Sequence, residues 1–311
     1  MRGAAAYVLL LSTSLVASGV AFAQRAPQFA VPLVTGTIPQ PAKVPVPART
    51  TDSRCTNPSA LGVARTVEID TTGGPGFGFE HFKMHDFLRD KEVVLTFDDG
   101  PWPTTPLILR ALAEECVRAT FFAIGKHATY YPEILRQVAA AGHSVGSHTW
   151  SHADLSRKSV AEAKDEIEKG VSAVKWALDS QTMSPFFRFP ALRHPPEVVT
   201  YLVERNIAIF STDLDSFDFK LRKPEPLIKS IMAKLQKHGK GIVLMHDFQQ
   251  STAQALPALL AELKAHGYKI VHMKSREPIK TLPQYDEDIR KDQKLPTVSQ
   301  NPTSSVVRTV E

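Results

Sequence analysis

The chain has 311 residues, 43% of them hydrophobic and 22% charged, an ordinary globular composition with room for one or two domains. Its formal charge of +5 is diffuse, with no run of clustered Lys or Arg interleaved with aromatics, so a nucleic-acid partner has no support. Its two cysteines, Cys55 and Cys116, are too few and too far apart for a zinc ribbon.

Residues 1–23 carry Arg2, then an apolar run ending in Ala21-Phe22-Ala23, a small-x-small pattern expected before a cleavage site. The alternative is a membrane anchor, but the run is short for a span. A cleaved signal peptide is therefore expected. The mature protein is expected to be periplasmic or extracellular, without stable membrane insertion, and a monomer. Export would permit a Cys55–Cys116 disulfide, although sequence does not show whether their Cα atoms approach. Residues 24–57 hold prolines at 27, 32, 39, 41, 45 and 47 and read as a linker.

From 58 to 275 the pattern alternates. Val93–Phe97 reads as a strand and Pro106–Cys116 as a helix; Ala119–Ile124 follows as a strand and Pro132–Ala141 as a helix. His143–Ser147 is a strand, and Ser159–Leu178 a long amphipathic helix with Val160, Ala163, Ile167, Val171 and Val174 at helical spacing. Strands at Pro185–Phe189, Ile207–Phe210 and Gly241–Met245 precede helices at Pro196–Arg205, Pro226–His238 and Ala253–Ala265, and Tyr268–His272 closes the series. Seven strands alternating with helices predict a parallel α/β fold, a distorted (β/α) barrel in first place and a doubly wound open sheet in second. Residues 276–311 are polar and proline-containing and are expected to be disordered.

No Gly-x-Gly-x-x-Gly follows a strand, and neither a Gly-Lys-Ser/Thr loop nor a Gly-x-Ser-x-Gly elbow occurs, which removes support for nucleotide binding and for a serine hydrolase. Polar residues gather instead just past strand ends, where barrel enzymes build active sites. Asp98-Asp99-Gly100-Pro101 pairs two carboxylates that repel unless a cation is near; a surface turn is the plain alternative. His148 and His152, four apart, would point the same way on one helical turn and chelate a metal; a structural pair is as common. Two histidines and one aspartate make an open three-ligand site, the catalytic style for zinc, whose ion acidifies water and polarises a carbonyl. Arg188 could orient a carboxylate. The acid-rich loop Asp213-Leu-Asp215-Ser-Phe217-Asp218-Phe219 reads by itself as solvated. His246 at a strand mouth suits proton donation, although a lone histidine is more often structural.

In this order TFDDGP, SHTWSH, FRFPA, DSFDF and LMH resemble the five motifs of the polysaccharide deacetylases (carbohydrate esterase family 4, the NodB-homology domain), over roughly residues 90–275. The resemblance implies a distorted (β/α) barrel that uses a divalent metal, Zn2+ first, with Co2+, Ni2+ or Mn2+ as alternatives, to remove acetyl groups from glycans. It implies Asp98 as base, Asp99, His148 and His152 as metal ligands, and Arg188 as the partner of Asp98. It implies Asp215 as the residue tuning His246, and His246 as the acid that protonates the leaving amine. Pro190, Ala191, Phe219 and Leu244 would contact substrate, Leu244 at the acetyl methyl. Two positions depart from the family pattern: Ala191 stands where an aromatic is usual, and Phe219 where Trp is usual. The expected substrate is an N-acetylated amino-sugar polymer such as chitin, peptidoglycan or poly-N-acetylglucosamine. An O-acetyl esterase acting on xylan or peptidoglycan is one alternative, an inactive glycan-binding relative the other.

Overall fold

Short β-branched and aromatic runs, each ended by a Gly, Pro or Asp turn, build one parallel sheet. The computed structural model describes residues 55–294. The expected signal peptide, residues 24–54 of the expected linker and residues 295–311 of the expected tail lie outside them.

The strands are β1 Val63–Ile69, β2 Gly76–Phe77, β3 Glu92–Asp98, β4 Thr120–Ala123, β5 Ser144–Ser147, β6 Phe186–Phe187, β7 Ala208–Phe210, β8 Leu214–Asp215, β9 Gly241–His246 and β10 Lys269–Ser275. Between and after them lie α1 Thr105–Glu114, α2 Gly125–Tyr130, α3 Pro132–Ala140, α4 Val160–Leu178, α5 Pro196–Glu204, α6 Pro224–His238, α7 Gln250–Ala265 and α8 Pro283–Lys294. The main path runs β1-β10-β3-β4-β5-β6-β7-β2, and β9 joins β3 to β8. Each expected strand and helix has its counterpart here, with ends moved by a few residues. β1, β2 and β8 are additional to the seven expected strands. β2 and β8 have two residues each, too few to show a period, and β1 is an edge strand with one half-exposed face.

The sheet curls into a distorted barrel. β8 ends one side of the ladder and β7, with only the two-residue β2 beyond it, lies at the other, yet only residues 211–213 separate them. Asp213 N–H donates to Ile242 O at 3.0 Å and Thr212 Oγ1 to the same carbonyl at 2.8 Å. The chain itself therefore carries one edge across to the other, without a continuous hydrogen-bonded seam.

Two apolar cores follow from the period of two along each strand. Val94, Phe122, Phe186, Phe210 and Ile242 fill the inside, whereas Val93, Leu95 and Phe97 face outward against α1 residues such as Ile108 and Leu112. Every residue of β3 is buried, as parallel strands covered on both faces require. Ser159 starts α4 with a reciprocal capping box to Glu162.

Cys55 and Cys116 form a disulfide with Cα atoms 5.7 Å apart, resolving the pairing that sequence leaves open. Closing a loop of 61 positions removes chain entropy worth about 4 kcal/mol from the unfolded state.

The expectation of disorder from residue 276 needs correction as far as residue 294. Pro283–Lys294 is helical, Ile289 on it is fully buried, Tyr285 Oη donates to Asp165, and Lys169 pairs with Asp292 at 3.0 Å. This segment lacks an apolar face of its own because it is held on α4 mainly by polar contacts. Among the described residues no helix is long and apolar enough to cross a membrane.

Candidate active site

Parallel register sets the first two partners. Asp98, the last residue of β3, lies directly beside His246, the last residue of β9, and Ser147 of β5 lies beside Phe187 of β6. The residues that follow, His148 and Arg188, therefore leave adjacent strand ends, and His148 Nδ1 meets Arg188 O at 2.7 Å.

Asp98 and Arg188 are buried together. Arg188 Nη1 donates to Asp98 Oδ1 and to Thr96 Oγ1, each at 2.7 Å, while Nε donates to Phe210 O at 3.1 Å and Nη2 to Ser211 O at 2.9 Å. Its guanidinium lies 4.3 Å from the centre of the Phe122 ring. A buried arginine is tolerable when its donors are paired and its charge matched, and here the four bonds and the Asp98 contact supply most of the first and all of the second. Asp98 is thereby held in a fixed orientation.

Asp99 faces another way because its backbone turns to a φ of 76°, uncommon for a residue other than glycine. Its Oδ1 lies 3.5 Å from His148 Nε2 and 3.4 Å from His152 Nε2, and the three ligand atoms all fall within 4.8 Å of one another. Two ligands about 2 Å from a shared tetrahedral ion would stand about 3.3 Å apart. Among the described residues Asp99 Oδ1 is buried without a hydrogen-bond partner. The Arg188 carbonyl can only accept, so His148 carries its proton on Nδ1 and turns the Nε2 lone pair toward Asp99. Burial lowers the His148 pKa, against the opposing pull of Asp98 and Asp99, and keeps the ring neutral. These residues fit a divalent metal.

The two histidines do not share a helical turn, as their spacing suggests. Residues 148–152 form a loop in which Thr149 and His152 adopt positive φ values of 69° and 57°. The loop is clamped from α4: Trp150 N–H donates to Glu166 O at 2.8 Å and Ser151 N–H to Glu166 Oε2 at 3.0 Å. Gly170 is required beneath it, since a Cβ there would come within 2.4 Å of the Thr149 carbonyl carbon.

His246 is held by Asp218, not by Asp215. Its Nδ1 lies 2.6 Å from Asp218 Oδ1, its backbone N–H donates to Oδ2 at 2.7 Å, and Thr252 Oγ1 donates to the same oxygen at 2.6 Å. Asp215 instead accepts the Phe217 N–H at 2.8 Å, closing a turn. Burial by itself would depress the His246 pKa, but the Asp218 hydrogen bond and charge, with Asp99 and Asp98 nearby, raise it to about 9. His246 is thus protonated at neutral pH. Because the folded value lies above the ordinary 6.5, the stability it contributes is complete below about pH 6.5 and lost as pH rises through about 9. Asp218→Asn is expected to bring the His246 pKa back toward 6.5 and flatten that pH dependence in the metal-free protein. An NMR titration of His246 checks this, and an unchanged midpoint would reject Asp218 as the controlling group.

These groups open onto a cleft of about 600 Å³, within the range of ligand sites. Ala191, Phe219, Leu244 and Asp215 line it. Pro190 does not: it is buried, and the chain turns outward only at Ala191 and Leu192, both with positive φ. Sequence reasoning missed Glu80, His81 and Phe248, which also line the cleft. Their segments carry no motif that marks them. It also missed Asp247, fully buried with Oδ2 accepting from Thr105 Oγ1 at 2.7 Å, whose carboxyl burial pushes up to about 7. Gly100 is obligatory above it, since a Cβ would lie 2.0 Å from Asp247 Oδ2.

The sequence model described as "Polysaccharide deacetylase" matches residues 86–209. The peptidoglycan-N-acetylglucosamine deacetylase PgdA of Listeria monocytogenes is 34% identical over 186 residues, 58% of this chain but 38% of its own length. A chitooligosaccharide deacetylase of Bradyrhizobium is 31% identical over 200 residues, 60% of this chain and 90% of its own. Among solved structures, a peptidoglycan deacetylase of Bdellovibrio bacteriovorus superposes with a TM-score of 0.62 at 34% identity, covering 69% of this chain and 59% of that one. The chain thus spans well under half of the Listeria relative and nearly all of the Bradyrhizobium one. A likeness of this extent makes the chain a member of the polysaccharide deacetylase family.

Proposed function

We propose that this protein hydrolyses N-acetyl groups on an amino-sugar polymer outside the cytoplasm, with peptidoglycan and chitin-like chains as first candidates. The observation that carries this reading is the convergence, at one cleft, of a three-ligand cluster between a buried Asp98–Arg188 pair and a protonated His246–Asp218 pair. A carboxylate base and a cationic acid, each beside a Lewis-acid position, match the needs of amide hydrolysis, in which water loses a proton and the departing amine gains one.

Asp99, His148 and His152 would hold the divalent metal, zinc best matching two imidazoles and one carboxylate. When bound, it would supply a Lewis acid for the carbonyl and acidify water at the site. Asp98, oriented by Arg188, takes the proton of the attacking water. Ala191, at the cleft wall with a φ of 52°, is the candidate backbone N–H donor to the developing oxyanion. His246, charged and fixed through Nδ1, donates from Nε2 to the leaving nitrogen. Leu244 and Phe219 give the acetyl methyl an apolar wall.

Acetate release from peptidoglycan, chitooligosaccharides, poly-N-acetylglucosamine and acetyl xylan tests the reading. Release from an N-acetylated glycan is expected, abolished by a zinc chelator and restored by added zinc. Release from acetyl xylan alone would make the protein an O-acetyl esterase. Zinc binding without any release would make it a glycan-binding relative.

A further inference from the structure

We propose that His127 is a positioning residue for the metal ligand Asp99, and that the short helix carrying it locks the two ligand loops to each other. The proposal rests on the metal reading above. Neither His127 nor α2 stands out in the sequence, and His127 is not part of the cleft wall.

Four consecutive residues, 124–127, hold both loops at once. Toward the loop of Asp99, Ile124 N–H donates to Gly100 O at 2.9 Å, and His127 Nδ1 meets Asp99 O at 2.6 Å. Toward the loop of His148 and His152, Gly125 N–H donates to Thr149 O and Lys126 N–H to Trp150 O, both at 2.9 Å. The last two donors belong to the first turn of α2, whose N–H groups have no partner within the helix. Gly125 allows the close approach, since a Cβ there would meet Gly170 Cα and the Trp150 ring at 2.9 Å each.

The His127 bond is the one that reaches a ligand residue. A backbone carbonyl only accepts, so His127 must carry a proton on Nδ1. Asp99 holds its carboxylate toward the histidines only because its backbone sits at a φ of 76°. A conformation that sparse persists where surrounding contacts impose it. The bond to Asp99 O is such a contact, and the His127 ring is itself fixed 4.9 Å from the Trp102 ring. The arrangement is the backbone counterpart of the side-chain partners that orient metal ligands elsewhere.

The test uses zinc alone, with the full chain, in competition with a chromophoric chelator. His127→Phe keeps a flat ring against Trp102 and removes the donor; it is expected to weaken zinc binding by about 10–100-fold. His127→Asn, whose Nδ2–H occupies the place of Nδ1–H, is expected to bind close to wild type. The two variants should melt alike without metal, which separates positioning from a loss of fold. Wild-type affinity in His127→Phe overturns the proposal, as does equal weakening in both variants, which would assign the effect to bulk. A wild-type chain that binds no zinc overturns this proposal and the metal reading together. Should His127→Phe fail to fold, the ring tautomer of wild-type His127, read by nitrogen-15 NMR, decides: a proton on Nε2 with Nδ1 bare contradicts it.

Discussion

Asp98→Asn is expected to leave zinc bound and to cut acetate release by about 10²–10⁴-fold, the usual contribution of a positioned acid–base group. The asparagine keeps the shape and an oxygen for Arg188, but its amide cannot accept a proton at neutral pH. Asp98 stands outside the ligand cluster, its Oδ2 3.9 Å from His148 Nε2, so metal affinity should survive. The same change strips Arg188 of its buried counter-charge, and breaking such a pair typically costs about 3–5 kcal/mol. Turnover must therefore be measured well below the lowered melting temperature. Wild-type acetate release would remove Asp98 from the role of base. Loss of zinc together with activity would show that the two aspartates have exchanged roles.

His246→Ala is expected to fold, to bind zinc, and to be slower on N-acetylated oligosaccharides by about 10²–10⁴-fold. An amine is a poor leaving group until protonated, and in the proposed reaction His246, paired with Asp218, supplies that proton. A phenyl acetate-type ester, whose leaving group needs no proton, should lose far less. The comparison matters because Phe219 and Phe248 pack edge-on against the His246 ring, with centroids 5.8 and 5.9 Å away. Truncation will disturb that packing for every substrate. Equal loss on the ester and the amide would mean that packing, not proton donation, accounts for the effect.

These two experiments address two different hydrogen-bonded pairs. Asp98 and His246 are neighbours in the β3–β9 ladder, but each has its own buried partner, Arg188 for one and Asp218 for the other. Neither hydrogen-bonded partner is shared, so each variant leaves the other pair's hydrogen bonds in place, although loss of the Asp98 charge also removes one of the influences that raise the His246 pKa.

By itself the sequence determined the alternation of strands and helices, a parallel α/β fold with the barrel ahead of an open sheet, and the strand ends at which Asp98, Asp99, His148, Arg188 and His246 emerge. Hydrophobic periodicity and turn residues are local signals, and a strand end exposes whatever polar residue follows it. Tertiary structure alone decided which of three aspartates meets His246. Asp213 accepts N–H groups from Phe79 and Ile242, Asp215 caps the turn at Phe217, and Asp218 takes the histidine. All three lie within six residues, and only the path of the loop against β9 and α7 tells them apart. Folding also decided that His148 and His152 converge through left-handed turns, that α2 ties their loop to Asp99, and that residues 283–294 dock as a helix. The physical reason is common to these cases: each depends on hydrogen bonds between segments distant in the chain, and such bonds leave no period in the sequence.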